Sequence, residues 1–375
     1  MANVLYLAST LERCGPVNQL YDLIANLDRT RFTPLVATLS PEPASTRAPD
    51  FEALEIKVLN LGLSRIEGLS RARPAIQGII RHHNIALVHS QGIRGDILTS
   101  RIAGPVRVAT IHNYPSEDYR RTYGVLKGFL MALMHLRAAR HLDAVIGVST
   151  AVSENLIRAH GLSDAQPISN GVDTRALTPA DRKEKHALRQ TLGLPQLATL
   201  WVSAGHLSQR KDPLTLIRAW RAASTSGNDR CLLMLGDGPL MADCKAAAGA
   251  DPSIRFAGNL NSITDHLRAS DIFVSASRAE GLPLATLEAM ACGLPLRLSE
   301  IAPHREVWET DPTMGDLFPV GSETALAALI AEARTEELAT AAAAARQMAE
   351  TRFSAKTMTN AYMNFYDRLL RGRRV

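Results

Sequence analysis

Short apolar runs recur along this chain, each followed by turn residues and then by a segment of helical spacing. Residues 3–8 (NVLYLA) open the series. A Gly15-Pro16 turn follows, then residues 17–27 with Leu20, Leu23, Ile24 and Leu27 on one helical face. Runs at 32–39, 85–89 (IALVH), 106–111 (VRVATI) and 144–148 (AVIGV) repeat the pattern. Strands this brief and this rich in branched residues suit burial on both faces, as in a parallel sheet covered by helices. A second series begins after about residue 178: 200–204 (LWVSA), 231–235 (CLLML), 254–257 (IRFA) and 272–275 (IFVS), with a helix expected over 213–224. The polar stretch 174–185, with Pro179 and several charges, separates the two series, and the Ala-rich residues 331–370 read as helix. The pattern predicts two doubly wound α/β domains in tandem with a helical tail, with ligands bound beyond the carboxyl ends of the strands.

Composition removes several alternatives. With 46% hydrophobic and 21% charged residues, the chain has enough apolar side chain to exclude disorder as its main state. Its four cysteines lie far apart without CxxC spacing, which excludes a disulfide scaffold or zinc ribbon and fits a reducing compartment. The net charge of +5 is dispersed and aromatics are 5%, which argues against a nucleic-acid partner. No run reaches the ~18 apolar residues of a membrane span, and no basic segment precedes the first apolar run, so a cytoplasmic protein is expected.

The residues that carry chemistry sit just after predicted strands. Glu280-Gly-Leu-Pro-Leu-Ala-Thr-Leu-Glu288 follows the run at 272–275 and opens a helix. Gly281, Leu282 and Leu284 then offer backbone N–H groups at a helix N-terminus, which favours an anion. Glu288, about one turn on, suits a ribose diol. Gly205-His-Leu-Ser-Gln-Arg210-Lys211-Asp-Pro213 follows the run at 200–204; an adjacent Arg and Lys suit a diphosphate, one as a planar fork, the other as a point charge. Gly236-Asp-Gly-Pro239 reads as a tight turn with Pro starting the next helix. His112 stands just past the run at 106–111.

Taken in order, TIHN, IGVS, ISNGVD, SAGHLSQRKD, LGDGP, IRFAGNL, EGLPLATLEAMACGLP, PHREV and FSAKTMTNAYMNFY resemble the retaining nucleotide-sugar glycosyltransferases of family 4, with the GT-B fold. The likeness covers residues 110 to 366, and the N-terminal third shares it in outline. It implies two Rossmann-like domains facing across a cleft: 1–175 on the acceptor side, joined by a returning C-terminal helix at about 357–375, and 176–356 on the donor side. Residue by residue, it implies that Arg210 and Lys211 neutralise the donor diphosphate, Glu280 contacts the donor sugar and Glu288 the ribose. It places His112 near the sugar, Gly15 near the phosphates and Arg255-Phe256 at the base. The reaction expected is metal-independent transfer with retention from a nucleotide-sugar, UDP-sugar before GDP-sugar, to a saccharide acceptor, lipid-linked, in O-antigen, lipopolysaccharide or capsule assembly. No cofactor is expected. Another GT-B enzyme, such as a sugar-nucleotide epimerase or a phosphorylase, and a catalytically silent nucleotide- or membrane-binding GT-B protein are the alternatives. A dinucleotide oxidoreductase is disfavoured because residues 9–16 (STLERCGP) lack GxGxxG.

Two departures from the family stand out. Pro16 stiffens the first loop, where Cys14-Gly15-Pro16 replaces a run of glycines. Arg297 interrupts an apolar run after Pro295, either facing solvent or lining the cleft. Finally, Arg120, Arg121, Lys127, Arg137, Arg140 and His141 bracket an apolar helical segment. Val125, Leu126, Phe129, Leu133 and Leu136 share one face, with Arg120 and Lys127 opposite. Residues 120–141 are thus either a core-packing helix or one that lies on the anionic cytoplasmic face of the inner membrane.

Overall fold

The computed structural model describes residues 1–223, 230–332 and 335–372. Two compact units emerge: Met1–Asn170 with the chain from Ala355 onward, and Gly171–Ser354. The first contains strands β1 (Ala2–Ala8), β2 (Phe32–Thr38), β3 (Val58–Asn60), β4 (Ile85–Gln91), β5 (Val106–Ile111), β6 (Ala144–Gly147) and β7 (Gln166–Pro167). They form a parallel sheet in the order β3-β2-β1-β4-β5-β6-β7. The second contains β8 (Thr199–Ala204), β9 (Arg230–Leu235), β10 (Ile254–Gly258), β11 (Ile272–Ser275), β12 (Leu296–Ser299) and β13 (Gly315–Phe318). Its parallel order is β10-β9-β8-β11-β12-β13. In each sheet the winding reverses beside the first strand, between β1 and β4 and between β8 and β11. Loops leaving two adjacent strands there diverge to opposite faces and open a crevice.

All nine strands expected from the apolar runs form. Four further strands, β3, β7, β12 and β13, have no apolar run to announce them. β3 and β7 are too short to show a pattern, and Arg297 breaks the apolar run of β12. Of the two alternatives for Arg297, facing solvent is excluded: it is buried in β12, and its guanidinium reaches Asp316 on the paired strand β13 at 3.1 Å. The first helix, Gly15–Ala25, begins two residues earlier than expected. Gly15-Pro16 is its first turn rather than a separate turn, and Pro there forfeits only an N–H with no intrahelical partner. The expected helix over 213–224 is Pro213–Ala222, and Ser224 lies outside the described residues. The Ala-rich stretch 331–370 falls, among the described residues, on the end of the helix Glu323–Glu332 and on the helices Thr335–Thr351 and Ala355–Gly372.

The last of these helices belongs to the first unit. Met358, Tyr362, Met363, Phe365 and Tyr366 pack among Val4, Tyr6, Leu20 and Phe32. Polar groups fix its register. The His89 ring, central in β4, bonds the Tyr366 hydroxyl at 2.5 Å and the Thr110 hydroxyl at 2.8 Å. Thr110 also meets the Tyr362 hydroxyl at 3.0 Å. Burial, with a smaller contribution from His112, lowers the His89 pKa to about 3, so the ring is neutral and serves as a bridge. All three tryptophans, Trp201, Trp220 and Trp308, lie in the second unit, so their fluorescence reports that unit alone. Tyr366→Ala should cost about 3–5 kcal/mol by cavity formation. The melt followed by circular dichroism should acquire an earlier phase while the tryptophan transition stays in place; an unchanged melt would contradict this anchoring.

Candidate functional site

Two loops leave the switch point of the second sheet, one after β8 and one after β11, and they carry the residues singled out by sequence. The first loop turns sharply at its end. The amides of Lys211 and Asp212 both donate to the Ser208 carbonyl, at 3.0 Å each. Asp212 then takes a left-handed φ of +47° and caps the helix Pro213–Ala222, its carboxylate accepting from the Thr215 amide (3.4 Å) and hydroxyl (2.8 Å). The same carboxylate pairs with Arg278 at 2.7 Å, and the Arg278 amide donates to the Arg210 carbonyl at 2.8 Å, so the two loops are stitched together.

A third loop supports them from below. Gly236, at φ +124°, passes so close to the β8 loop that a Cβ would lie 2.1 Å from the Gly205 carbonyl oxygen. A Cβ on Gly205 itself would lie 2.9 Å from Lys211 Cε. These glycines therefore let the loops approach and set where Lys211 stands. Pro239 does not start a helix as expected; the next helix is Met241–Ala248, and Leu240 is tied back to Leu207.

The result is a buried carboxylate held by two cations. Glu280, 5% exposed, accepts from Arg210 Nη1 at 2.9 Å and from Lys211 Nζ at 2.5 Å. Ser277 Oγ donates to the same Glu280 oxygen as Lys211, at 2.7 Å, and meets Ser275 Oγ at 3.1 Å. Burial alone would raise the Glu280 pKa, but Lys211 and then Arg210 outweigh it and hold the group at about 2. Behind the cluster, His304 Nδ1 lies 2.8 Å from the Ser299 carbonyl oxygen, while its Nε2 is buried without a partner among the described residues. Burial lowers the His304 pKa to about 4, against the opposing pull of Glu280, so this ring is neutral. His304 and the serines were not expected as site residues. The alternating Ser275 and Ser277 just before Glu280 were the available signal.

Of the remaining expected residues, Gly281 and Leu282 are buried in the turn after Glu280. Pro283 is the N-cap, not a first-turn residue, of the helix Leu284–Ala291, which has no acidic residue in its first turn. Leu284 and Glu288 are half-buried on that helix. Arg255 is exposed on β10, and its guanidinium donates to the Gly193 carbonyl at 2.6 Å; its neighbour Phe256 packs on the core. Gly205, Arg210, Lys211 and Glu280 are thus brought together, whereas the Arg255 side chain is tied to Gly193.

Gly15 and His112 belong to the first unit. There an open concavity of about 260 Å³ lies beyond the ends of β1, β4 and β5, lined by Cys14, Pro16, Gln91, His112, Asn113 and Tyr119 among others. His112 Nε2 is buried and unpartnered among the described residues, and burial lowers its pKa to about 4. The Tyr119 hydroxyl meets His135 Nδ1 at 2.8 Å, and His135 Nε2 meets Asp96 at 2.6 Å, so the floor is pinned by a buried polar chain.

His135 sits on the helix Val125–Ala139, which differs from expectation. Gly124, at φ +84°, separates it from the helix Pro115–Tyr123, so Arg120 and Lys127 are on different helices. Gly128, Ala132, His135 and Leu136 face inward, so Leu136 does not share the face of the other large residues. Val125 is 76% exposed and Leu126 75%, with Phe129, Leu130, Leu133 and Met134 at least half exposed. No helix among the described residues is long and apolar enough to cross a membrane.

A carboxylate with a depressed pKa stabilises the fold above its unfolded value and loses that contribution as pH falls through the folded one. Glu280 should therefore support the second unit fully above pH ~4.5 and progressively less towards pH 2. Glu280→Gln should flatten the tryptophan-monitored stability profile over that interval; an unaltered acid limb would contradict the pairing.

Residues 14–176 match the family model described as Glycosyltransferase Family 4, and residues 198–336 the one described as Glycosyl transferases group 1. The first match extends the likeness into the N-terminal third, beyond the outline expected. An Escherichia coli protein named UDP-Gal:alpha-D-GlcNAc-diphosphoundecaprenol alpha-1,3-galactosyltransferase is 30% identical over 239 residues, 60% of this chain and 60% of its own length. A Corynebacterium glutamicum protein named GDP-mannose-dependent monoacylated alpha-(1-6)-phosphatidylinositol monomannoside mannosyltransferase is 28% identical over 196 residues, 48% of this chain and 51% of its own. The chain thus spans 60% and 51% of the lengths of these relatives. Anabaena Alr3699/HepE, solved with UDP and glucose, shares the fold with a TM-score of 0.82 over 98% of this chain and 100% of its own, at 21% identity. With both family domains matched in chain order over most of its length, on two Rossmann-like sheets, the chain belongs to the GT-B glycosyltransferases of the family 4 and group 1 type.

Proposed function

We propose that this protein transfers a sugar, with retention and without metal, from a UDP-sugar to a lipid-linked saccharide acceptor in cell-surface polysaccharide assembly. The observation that carries the reading is the clasp of Arg210 and Lys211 on Glu280 at the switch point of the second sheet, beside a helix start free of acidic residues. Cleaving a sugar–phosphate bond places negative charge on a departing diphosphate. The Arg210 fork and the Lys211 ammonium supply fixed positive charge for it, and the first amides of Leu284–Ala291 add a helix-dipole contribution. Glu280 retains lone pairs for donor-sugar hydroxyls. Glu288 is assigned to the ribose. Neutral His112, with an unpartnered Nε2, suits a hydrogen bond to a sugar hydroxyl. Retention rests on the family likeness: the acceptor attacks the face the diphosphate leaves, and the departing phosphate takes the proton. The preference for UDP is supported by the names of the Escherichia coli relative and the Anabaena complex, against the GDP-mannose of the Corynebacterium relative.

The lipid-linked acceptor is supported by the acceptors in the names of both relatives and by the exposed apolar row of Val125–Ala139 flanked by arginines. We read this helix as lying in the interface of an anionic membrane, which makes the protein peripheral to the cytoplasmic leaflet.

Two measurements test the reading. In a transfer assay with EDTA, Lys211→Ala and Glu280→Ala should each lower turnover at least ~100-fold, about 2.7 kcal/mol of transition-state stabilisation. Near-wild-type transfer by either variant would refute the site. The protein should also float with anionic vesicles at low salt; failure to do so would remove the membrane assignment.

A further inference from the structure

A second groove in the first unit, of about 260 Å³, lies between the helices Ile93–Thr99 and Val125–Ala139 and shares no lining residue with the concavity beside His112. Its walls follow helical spacing. Ile97, Ser100 and Arg101 stand at i, i+3 and i+4 on one side; Met134, Arg137 and His141 stand at i, i+3 and i+7 on the other. No acidic residue lines it. Among the described residues neither the Arg101 nor the Arg137 guanidinium has an ion-pair or hydrogen-bond partner. Arg107 close by, in contrast, is closed by Asp143 at 2.8 Å. His141 Nδ1 is spent on the Arg137 carbonyl at 2.8 Å, which leaves Nε2 for another group. One wall, Met134, is 55% exposed and continues the outward apolar row of Leu130 and Leu133.

Two uncommitted guanidinium groups in a groove without acidic residues, at the margin of an exposed apolar helix face, match the two halves of one molecule. We propose that this groove seats the phosphate of an anionic bilayer phospholipid. Arg101 and Arg137 fork the phosphate oxygens, Ile97 and Met134 border the glycerol, and Leu130 and Leu133 lie among the first acyl carbons. The inference rests on the membrane reading above and gives it a specific site. A diffuse basic surface treats every nearby arginine alike, whereas a built site depends on the two that line it.

The test titrates monomeric dihexanoyl-phosphatidylglycerol, below its micelle concentration, into the full-length protein and follows binding by NMR. Arg101→Gln/Arg137→Gln is compared with Arg120→Gln/Arg121→Gln, which removes the same charge outside the groove. All four side chains are exposed, and melting curves verify folding. Saturable binding by the wild type, at least ~10-fold weaker in the groove pair and within ~2-fold in the control pair, is the expected result. Equal loss in both pairs, or no saturation with the wild type, overturns the groove while leaving membrane binding untouched. Phe129→Ser/Leu133→Ser floating with anionic vesicles like the wild type overturns the membrane reading and the inference with it.

Discussion

The candidate site turns on one buried carboxylate held between two cations. Burying Glu280 is unfavourable in itself, and the charges of Lys211 and Arg210 reverse the sign. Both cations come from the loop after β8 and the carboxylate from the loop after β11, so the pairing fixes the two loops against each other. The close pass of Gly236 under Gly205, the Asp212–Arg278 pair and the serine chain from β11 all serve that placement. Removing one member of such a buried pair leaves an uncompensated charge, at a cost of about 3–5 kcal/mol. Substitutions here therefore change stability and activity together, and only the conservative ones separate the two. The cluster keeps an excess of one positive charge, which is what the proposed diphosphate would meet.

The first unit uses neutral groups for comparable ends. His89 and His112 are held uncharged by burial, and His135 is enclosed between Asp96 and Tyr119. His89 spends both nitrogens anchoring the C-terminal helix beneath the sheet, whereas His112 keeps Nε2 unpartnered among the described residues beside the concavity. The helix Val125–Ala139 connects this concavity to the surface. Its inner face carries His135, and its outer face carries the exposed apolar row.

Much of this was legible in the residues because parallel strands buried on both faces announce themselves as short apolar runs. The strand–loop–helix register put Gly205, Arg210, Lys211 and Glu280 just past strand ends, and the family resemblance grouped them; that β8 and β11 are neighbours is a property of the sheet order. What escaped was set by tertiary context. β12 was hidden because the charge of Arg297 is answered by Asp316 on a neighbouring strand, which no local pattern reveals. His304 became visible as a site residue only once β12 and the helix after it were placed behind Glu280. For residues 125–139, periodicity grouped the side chains but did not say which group packs. The small Gly128 and Ala132 allow close approach to the neighbouring helices, so the larger residues are left outside. The bond from the Arg255 guanidinium to the Gly193 carbonyl was likewise beyond local pattern; it leaves the main chain of Arg255-Phe256 as the part of that segment a base could meet.

The claim that the Arg210–Lys211–Glu280 cluster is a nucleoside-diphosphate site is tested most directly by ligand-induced stabilisation. UDP, GDP and ADP would each be added with EDTA to the wild type and to Arg210→Gln/Lys211→Gln, with unfolding followed by tryptophan fluorescence. At 100 times its Kd a bound ligand adds about 2.7 kcal/mol. The account predicts such a shift with UDP in the wild type and its loss in the double variant. No shift with any of the three, or an equal shift in both proteins, would contradict it.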